Sequence, residues 1–228
     1  MSLVVGGIKV NKKVWLSQDG INQLKGDSGM STACTEKTVW GWGIRDVKFR
    51  VWIDGKFVWQ YQLWQSIVRR SNSEFCHGKN PAYANVKCSD KWQRFSDFLY
   101  WVNEEVGYKG RPQGCDFDKD ILGGEAKMYS PDYCSFVPRK VNLVIMCDKS
   151  CKGVYPTGVN HHKRTGKLVA QTSYDGKKIH LGLFDDPMEA FHCYKKAKEA
   201  QIKLVADEYR QSLRDDVYAA LMRWEVKP

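Results

Sequence analysis

Residues Val154 to Ala197 constrain the fold more than any other stretch of this chain, reading VYPTGVNHHKRTGKLVAQTSYDGKKIHLGLFDDPMEAFHCYKKA. Three short segments alternate as half-buried strands do, with turn residues between them. The first is Val154 to His161; Thr165-Gly166 turns the chain into the second, Lys167 to Ser173. Asp175-Gly176 is a strong hairpin signal because both residues tolerate positive φ. The third strand is Lys178 to Phe184. Asp186-Pro187-Met188-Glu189 then opens a helix, with Asp as N-cap, Pro at the first helical position and Glu at the third. Ala190, Tyr194 and Ala197 recur on one side of it at helical spacing. The expectation is a three-stranded antiparallel sheet packed on one helix.

The free face of such a sheet and its turns would carry Asn160, His162, Arg164, Lys167, Gln171, Ser173, Lys178 and His180, donors that reach phosphates or base edges. From Lys149 to Gly182 there are seven basic residues against one acid, Asp175, a net charge of +6. Charge alone fits a solvated sheet face equally well; the order of the residues discriminates.

That order resembles the Apetala-2 type DNA-binding domain of plant ethylene-response factors, which also occurs in phage endonucleases. The matching residues are Tyr155, Gly158-Val159, Gly166-Lys167, Ala170, Leu181-Gly182, Phe184-Asp185, Glu189-Ala190, Tyr194 and Ala197. They keep the family's spacing apart from an extra residue or two in turns, over about a fifth of the chain. The resemblance implies a sheet lying in the DNA major groove. It puts the contact positions on Thr157, Asn160, His162, Arg164, Gln171, Ser173, Lys178, His180 and Tyr194. Several are Arg or Trp in the plant proteins, so the binding mode carries over better than any target sequence.

Composition points the same way. A net charge of +10 and a pI of about 9.1 favour a polyanionic partner. With 43% hydrophobic residues in 228, the chain can build real cores. The eight Cys are scattered rather than spaced as staples, which suits free thiols in a reducing cytoplasm. No apolar run approaches the roughly 20 residues of a membrane span, and Met1 to Val5 is too short for a signal-peptide core.

Ahead of this module, Met1 to Glu36 is a weakly patterned lead-in with one candidate strand, Lys9 to Leu16. Lys48–Ile53 and Phe57–Tyr61 flank Asp54-Gly55 as a hairpin. Tyr61–Arg70 reads as a helix burying Trp64, Ile67 and Val68, and Asp90–Glu105 as a second one under a Ser89 cap. Trp92, Phe95, Phe98, Leu99 and Val102 form the second helix's apolar stripe. Cys115–Leu122 and Lys127–Ser130 read as strands joined through Gly123-Gly124, and Pro138–Ile145 as a helix. Cys147–Gly153 is a polar, basic linker, and Asp207–Trp224 continues helical.

Asp116 to Asn142, DFDKDILGGEAKMYSPDYCSFVPRKVN, carries a second resemblance, to the core of HNH endonucleases of phages and mobile introns. Tyr129-Ser130-Pro131 and Phe136-Val137 match that core's connecting hairpin and helix entry. Trp64–Arg69, Trp92, Phe95, Phe98 and Tyr108 have the spacing of the phage members ahead of it. The resemblance implies a ββα fold clamping one Mg²⁺ or Mn²⁺, with Asp118 as carboxylate ligand and Asn142 as second ligand. Two positions depart from the pattern. The general-base His is Lys119, and the Asn that orients it is Tyr133. A Lys of ordinary pKa, near 10.4, is a free base in less than about one molecule in a thousand at pH 7. Lys119 could instead hold the scissile phosphate while Asp120 or a hydroxide takes the proton, or the nuclease could be a relic that binds without cutting. Asp116, Asp118 and Asp120 alternate as they would along one strand face, which adds modest support for a cation. The Cys and Cys-His spacings are too loose for a structural Zn²⁺ to be expected.

The chain is therefore expected to be an α+β protein. The lead-in is 1–36 and an HNH-like nuclease or nuclease-derived domain is 37–146. A linker covers 147–153, the DNA-binding module 154–206 and a terminal helix 207–228. The function expected is metal-dependent, site-specific cleavage of double-stranded DNA, with no membrane and no small-molecule cofactor. A catalytically inactive DNA-binding protein is the alternative, and RNA binding by the same basic face a lesser one.

Overall fold

The computed structural model describes residues 3–5, 8–10, 37–47, 50–53, 55–106, 111–146 and 154–228. The architecture is α+β, with small two-stranded sheets, one three-stranded antiparallel sheet and α-helices. Two compact units divide the chain: one is Met1–Gln113 with Gly123–Phe136, the other Gly114–Leu122 with Val137–Pro228. Among the described residues no helix is long and apolar enough to cross a membrane.

The first unit is built on aromatic helices. Trp59–Asn72 is helical and buries Tyr61, Trp64, Ile67 and Val68; Arg69 and Arg70 lie in its last turn, where the helix dipole favours cations. Ser89 accepts from Lys91 N as a cap, but only a 3₁₀ turn, Asp90–Trp92, follows directly. The α-helix itself is Phe95–Val106. Trp92, Phe95, Phe98, Leu99 and Val102 are all buried, as their spacing predicts. The rings interlock edge to face: Tyr61 and Phe95 centroids are 5.0 Å apart, Trp92 and Phe98 5.1 Å.

Several expected strands are shorter or paired differently. The early hairpin reduces to Trp52–Ile53 against Lys56–Phe57, because the helix begins at Trp59 and takes the residues assigned to the second strand. Gly55 has φ +76°; Asp54 lies outside the described residues, as do 147–153 and most of 1–36. Within 1–36, Leu3–Val5 pairs with Ile8–Val10. Met128–Tyr129 is a strand, but its partner is Lys87–Cys88, in parallel. The expected pairing with the strand at Cys115 is therefore replaced.

The second unit holds the strand Cys115–Asp118 and Val137 and Pro138, the last two residues of the strand Ser135–Pro138. The helix Arg139–Ile145 follows. Its Val141, Val144 and Ile145, with Ile121 and Val137, join one core with Val159, Leu168, Ala170, Ala190, Phe191 and Tyr194. The helix before the stretch read from sequence as an interdomain linker and the sheet after it thus share one core. Lys140 reinforces this: its Nζ lies 2.9 Å from Glu208 Oε2, 3.6 Å from Asp175 and 5.4 Å from the Tyr174 ring centroid.

The C-terminal sheet follows its local signals closely. Val159–His161, Leu168–Tyr174 and Lys177–Phe184 pair antiparallel in that order. Asp175 and Gly176 have φ +47° and +73°, both positive as a tight two-residue hairpin turn requires. Asp186 Oδ1 accepts from Met188 N and Glu189 N, and Pro187–Glu208 is one helix of 22 residues. The expected continuous terminal helix is instead interrupted. Arg210–Ser212 is a 3₁₀ turn, Leu213 is extended with its side chain in the core, and Asp215–Met222 is a separate helix.

Candidate functional site

Cross-strand partners project to the same face of a sheet. Asn160 pairs with Val169 and Val169 with Leu183; Gln171 pairs with His180 and Ser173 with Lys178. Residues two apart on a strand also share a face, which joins Val169, Gln171 and Ser173 into one row. The opposite row is occupied. Leu168, Ala170 and Val159 are in the core with the helix residues Ala190, Phe191 and Tyr194, and Thr172 Oγ1 donates to Gln201 Oε1 at 3.1 Å. Asn160, Gln171, Ser173, Lys178, His180 and Leu183 therefore lie on the face turned away from the helix.

A bulge makes this possible. Ala170 faces Gly182 while Gln171 faces His180, so Leu181 is an extra residue on its strand. An inserted residue reverses the alternation beyond it. Without it, Leu181 and Ile179 would continue the Leu183 row and His180 and Lys178 would face the helix. Leu181 instead packs against the core, and His180 and Lys178 are exposed on the free face.

The remaining predicted contacts lie at the turns. Thr157 is half-buried just before the first strand, and Arg164 is exposed. Lys167 is exposed and ion-paired to Asp185 at 2.8 Å. His162 organises its own turn: its O accepts from Thr165 N and Gly166 N, and its Nδ1 lies 2.8 Å from Thr165 Oγ1. Tyr194 is corrected. It is 5% exposed, in the core beneath the sheet, so its ring belongs to the packing and not to the free face. The ring explains Gly158, where an added Cβ would come within 2.2 Å of Tyr194 Cδ2.

The expected nuclease residues are arranged differently from the sequence reading. Asp118 ends its strand and is 7% exposed. Its Oδ1 accepts from Asp120 N at 2.9 Å and from Ile121 N at 2.8 Å, capping the helical turn Asp120–Gly123. This cap is why the strand stops, and why Asp120 leaves the face on which sequence alternation put it with Asp116 and Asp118. Burial raises the Asp118 carboxyl above the usual carboxylate range; the amide of Ile121 opposes this, and the neighbouring charge of Asp120 adds to it. Lys119 Nζ is bonded to the Asp120 carboxylate. Tyr133 packs on Gly123, its Cβ 3.2 Å from where a glycine side chain would begin.

Asn142, midway along its helix, donates from Nδ2 to Asp116 Oδ2 at 3.1 Å. The amide expected to share a site with Asp118 is thus bonded to Asp116, the residue two positions earlier. Sequence reasoning left Asp116 out of the ligand set, although the two-residue spacing that aligns it with Asp118 was visible. Among the described residues no group of three or more His, Cys, Asp or Glu gathers to hold a metal. The donors on offer are two carboxylates and an amide, all oxygen. They fit a hard cation in kind, and Mg²⁺ ordinarily keeps several waters beside one or two carboxylates.

The free carboxylate chemistry of Asp118 is separable from its structural work. Asp118→Asn keeps an Oδ1 acceptor for both amides, whereas Asp118→Ala leaves two amides uncapped and is expected to cost about 1–3 kcal/mol. The raised carboxyl also has a sign. The folded chain holds that proton to higher pH than the unfolded chain, so stability contributed by this group falls as pH rises from the ordinary carboxylate range through the folded value. Urea titrations across acid pH should show this fall in the parent and a flatter profile in Asp118→Asn; identical profiles would contradict it.

Compared with protein-family descriptions, curated proteins and solved structures, the chain matches none.

Proposed function

We propose that the chain binds double-stranded DNA, with the free face of the C-terminal sheet in the major groove and the basic turn residues on flanking phosphates. The observation that carries this reading is the bulged register, which aligns Asn160, Gln171, Ser173, Lys178 and His180 on one face while the helix covers the other. Hydrogen-bonding side chains of this length reach base edges, and the wide major groove is where those edges distinguish all four base pairs. Arg164 and Lys178 act mainly on phosphates and His180 on a base edge. Arg164→Ala and Lys178→Ala should then weaken binding to all duplexes alike, and His180→Ala should relax discrimination at one position of the selected site. Competition titrations with selected and random duplexes separate the two behaviours. Equal losses on both DNAs for all three variants would contradict the assignment.

A second reading, metal-dependent hydrolysis of a DNA phosphodiester, is favoured by the Asn142–Asp116 hydrogen bond, which brings a strand carboxylate and a helix amide together. Asp116, Asp118 and Asn142 would hold the cation. A bound Mg²⁺ or Mn²⁺ would supply Lewis-acid stabilisation of the leaving oxygen. Lys119, the residue after Asp118, is ion-paired to Asp120. Asp118→Asn should abolish Mg²⁺-dependent nicking of supercoiled DNA and leave duplex binding unchanged. A parent chain that binds its DNA and never nicks it in Mg²⁺ or Mn²⁺ leaves the binding function alone standing.

A further inference from the structure

We infer that the free sheet face selects A·T-rich duplex, with Leu183 reading a thymine methyl group. The inference rests on the DNA-binding reading above and adds the target class. The three strands contain no Arg, Asp or Glu between Val159–His161, Leu168–Tyr174 and Lys177–Phe184. Guanine is most often read by Arg or Lys, and cytosine by a carboxylate accepting from its amino group. The ladder supplies no carboxylate, and its one cation on the free face, Lys178, lies beside the Asp175-Gly176 turn and is assigned to phosphate above.

It supplies the opposite set in its middle. Asn160 and Gln171 stand on adjacent strands of the free face, and their terminal amides match the donor and acceptor of adenine. The row Asn160–Val169–Leu183 crosses all three strands, with Gln171 next to Val169 on the central strand. Val169 is buried, and Leu183 is 38% exposed at the far end of that row. Leu183 packs along its cross-strand partner Val169 and still leaves 38% of itself exposed on a polar recognition face, and the thymine methyl is the one apolar group that the major-groove edge of DNA presents. Two amides and an exposed apolar side chain on one sheet face form a surface complementary to successive A·T pairs.

The test selects duplexes from a random library with the full chain, then measures affinity for the winning site with each thymine replaced in turn by deoxyuridine, which removes only the methyl group. The expected result is a site rich in A·T pairs in which one replacement weakens binding about four-fold, the worth of one buried methyl-sized group. Leu183→Ala should bind the thymine and deoxyuridine duplexes equally. The parent-protein measurement needs no variant to fold. Selection of a G·C-rich site, selection of no sequence, or indifference to every thymine methyl would overturn the inference while leaving duplex binding intact. A chain that binds no duplex at all would overturn the DNA-binding reading and this inference together.

Discussion

Replacing Gly158 by alanine should destabilise the second unit by about 2–5 kcal/mol. Two costs combine. Gly158 has φ +78°, a conformation that costs an L-residue roughly 1–2 kcal/mol. Its new Cβ would also fall 2.2–2.5 Å from three atoms of the Tyr194 ring, well inside contact distance. That ring is buried between helix and sheet, so it cannot swing into solvent, and overpacking of this kind costs about 1–3 kcal/mol more. The consequence reaches the free face, because Gly158 O accepts from Gln171 N at 3.0 Å beside the bulge. Displacing Gly158 moves the pairing that orients Asn160 and Gln171. Equilibrium denaturation of parent and variant measures the stability loss. A loss below about 1 kcal/mol would mean that the close Gly158–Tyr194 approach does not hold the first strand, since the two costs together come to at least about 2 kcal/mol.

Trp64→Ala should cost the first unit about 3–5 kcal/mol, the range for removing a fully buried large aromatic. Trp64 is completely buried, its ring 5.4 Å from Phe95 and 5.6 Å from Tyr61, and its Nε1 donates to Trp92 O at 2.8 Å. An added Cβ at Gly43 would meet the indole at 2.9 Å, so the strand Gly43–Arg45 also rests on this ring. Trp64→Phe keeps part of the ring packing and loses the hydrogen bond, and should cost clearly less. Thermal melts followed by circular dichroism rank the three proteins. Equal stability of Trp64→Ala and the parent would remove Trp64 from the centre of this core.

Local chemistry made much of the C-terminal sheet legible before its structure. Asp175-Gly176 needs only its own two residues to specify the turn, and the Asp186 cap needs only the next three. What escaped was set by partners distant in sequence. The bulge at Leu181 appears only when Gln171 finds His180 across the sheet. The burial of Tyr194 depends on its contact with Gly158, 36 positions away. Asn142 could be aligned with Asp118 by spacing, but its amide goes to Asp116, while Asp118 Oδ1 accepts from two backbone amides of the following turn. The stretch 147–153 looked like a boundary because it is polar, yet the helix Arg139–Ile145 before it contributes Val141, Val144 and Ile145 to the core of the sheet after it. Composition locates polar segments; it does not say which core the flanking helices join.

The central claim is that the free sheet face binds duplex DNA, and its salt dependence tests that most directly. Between Val154 and Asp186 the module carries five cations, Lys163, Arg164, Lys167, Lys177 and Lys178, of which Lys167 is already paired with Asp185. Engaging four or five phosphates releases a counterion at each, so the logarithm of the association constant of the full chain should fall against the logarithm of salt concentration with a slope of roughly −4. Arg164→Ala should reduce that slope by about one. A slope near zero, or tighter binding to single strands than to the matching duplex, would contradict the account.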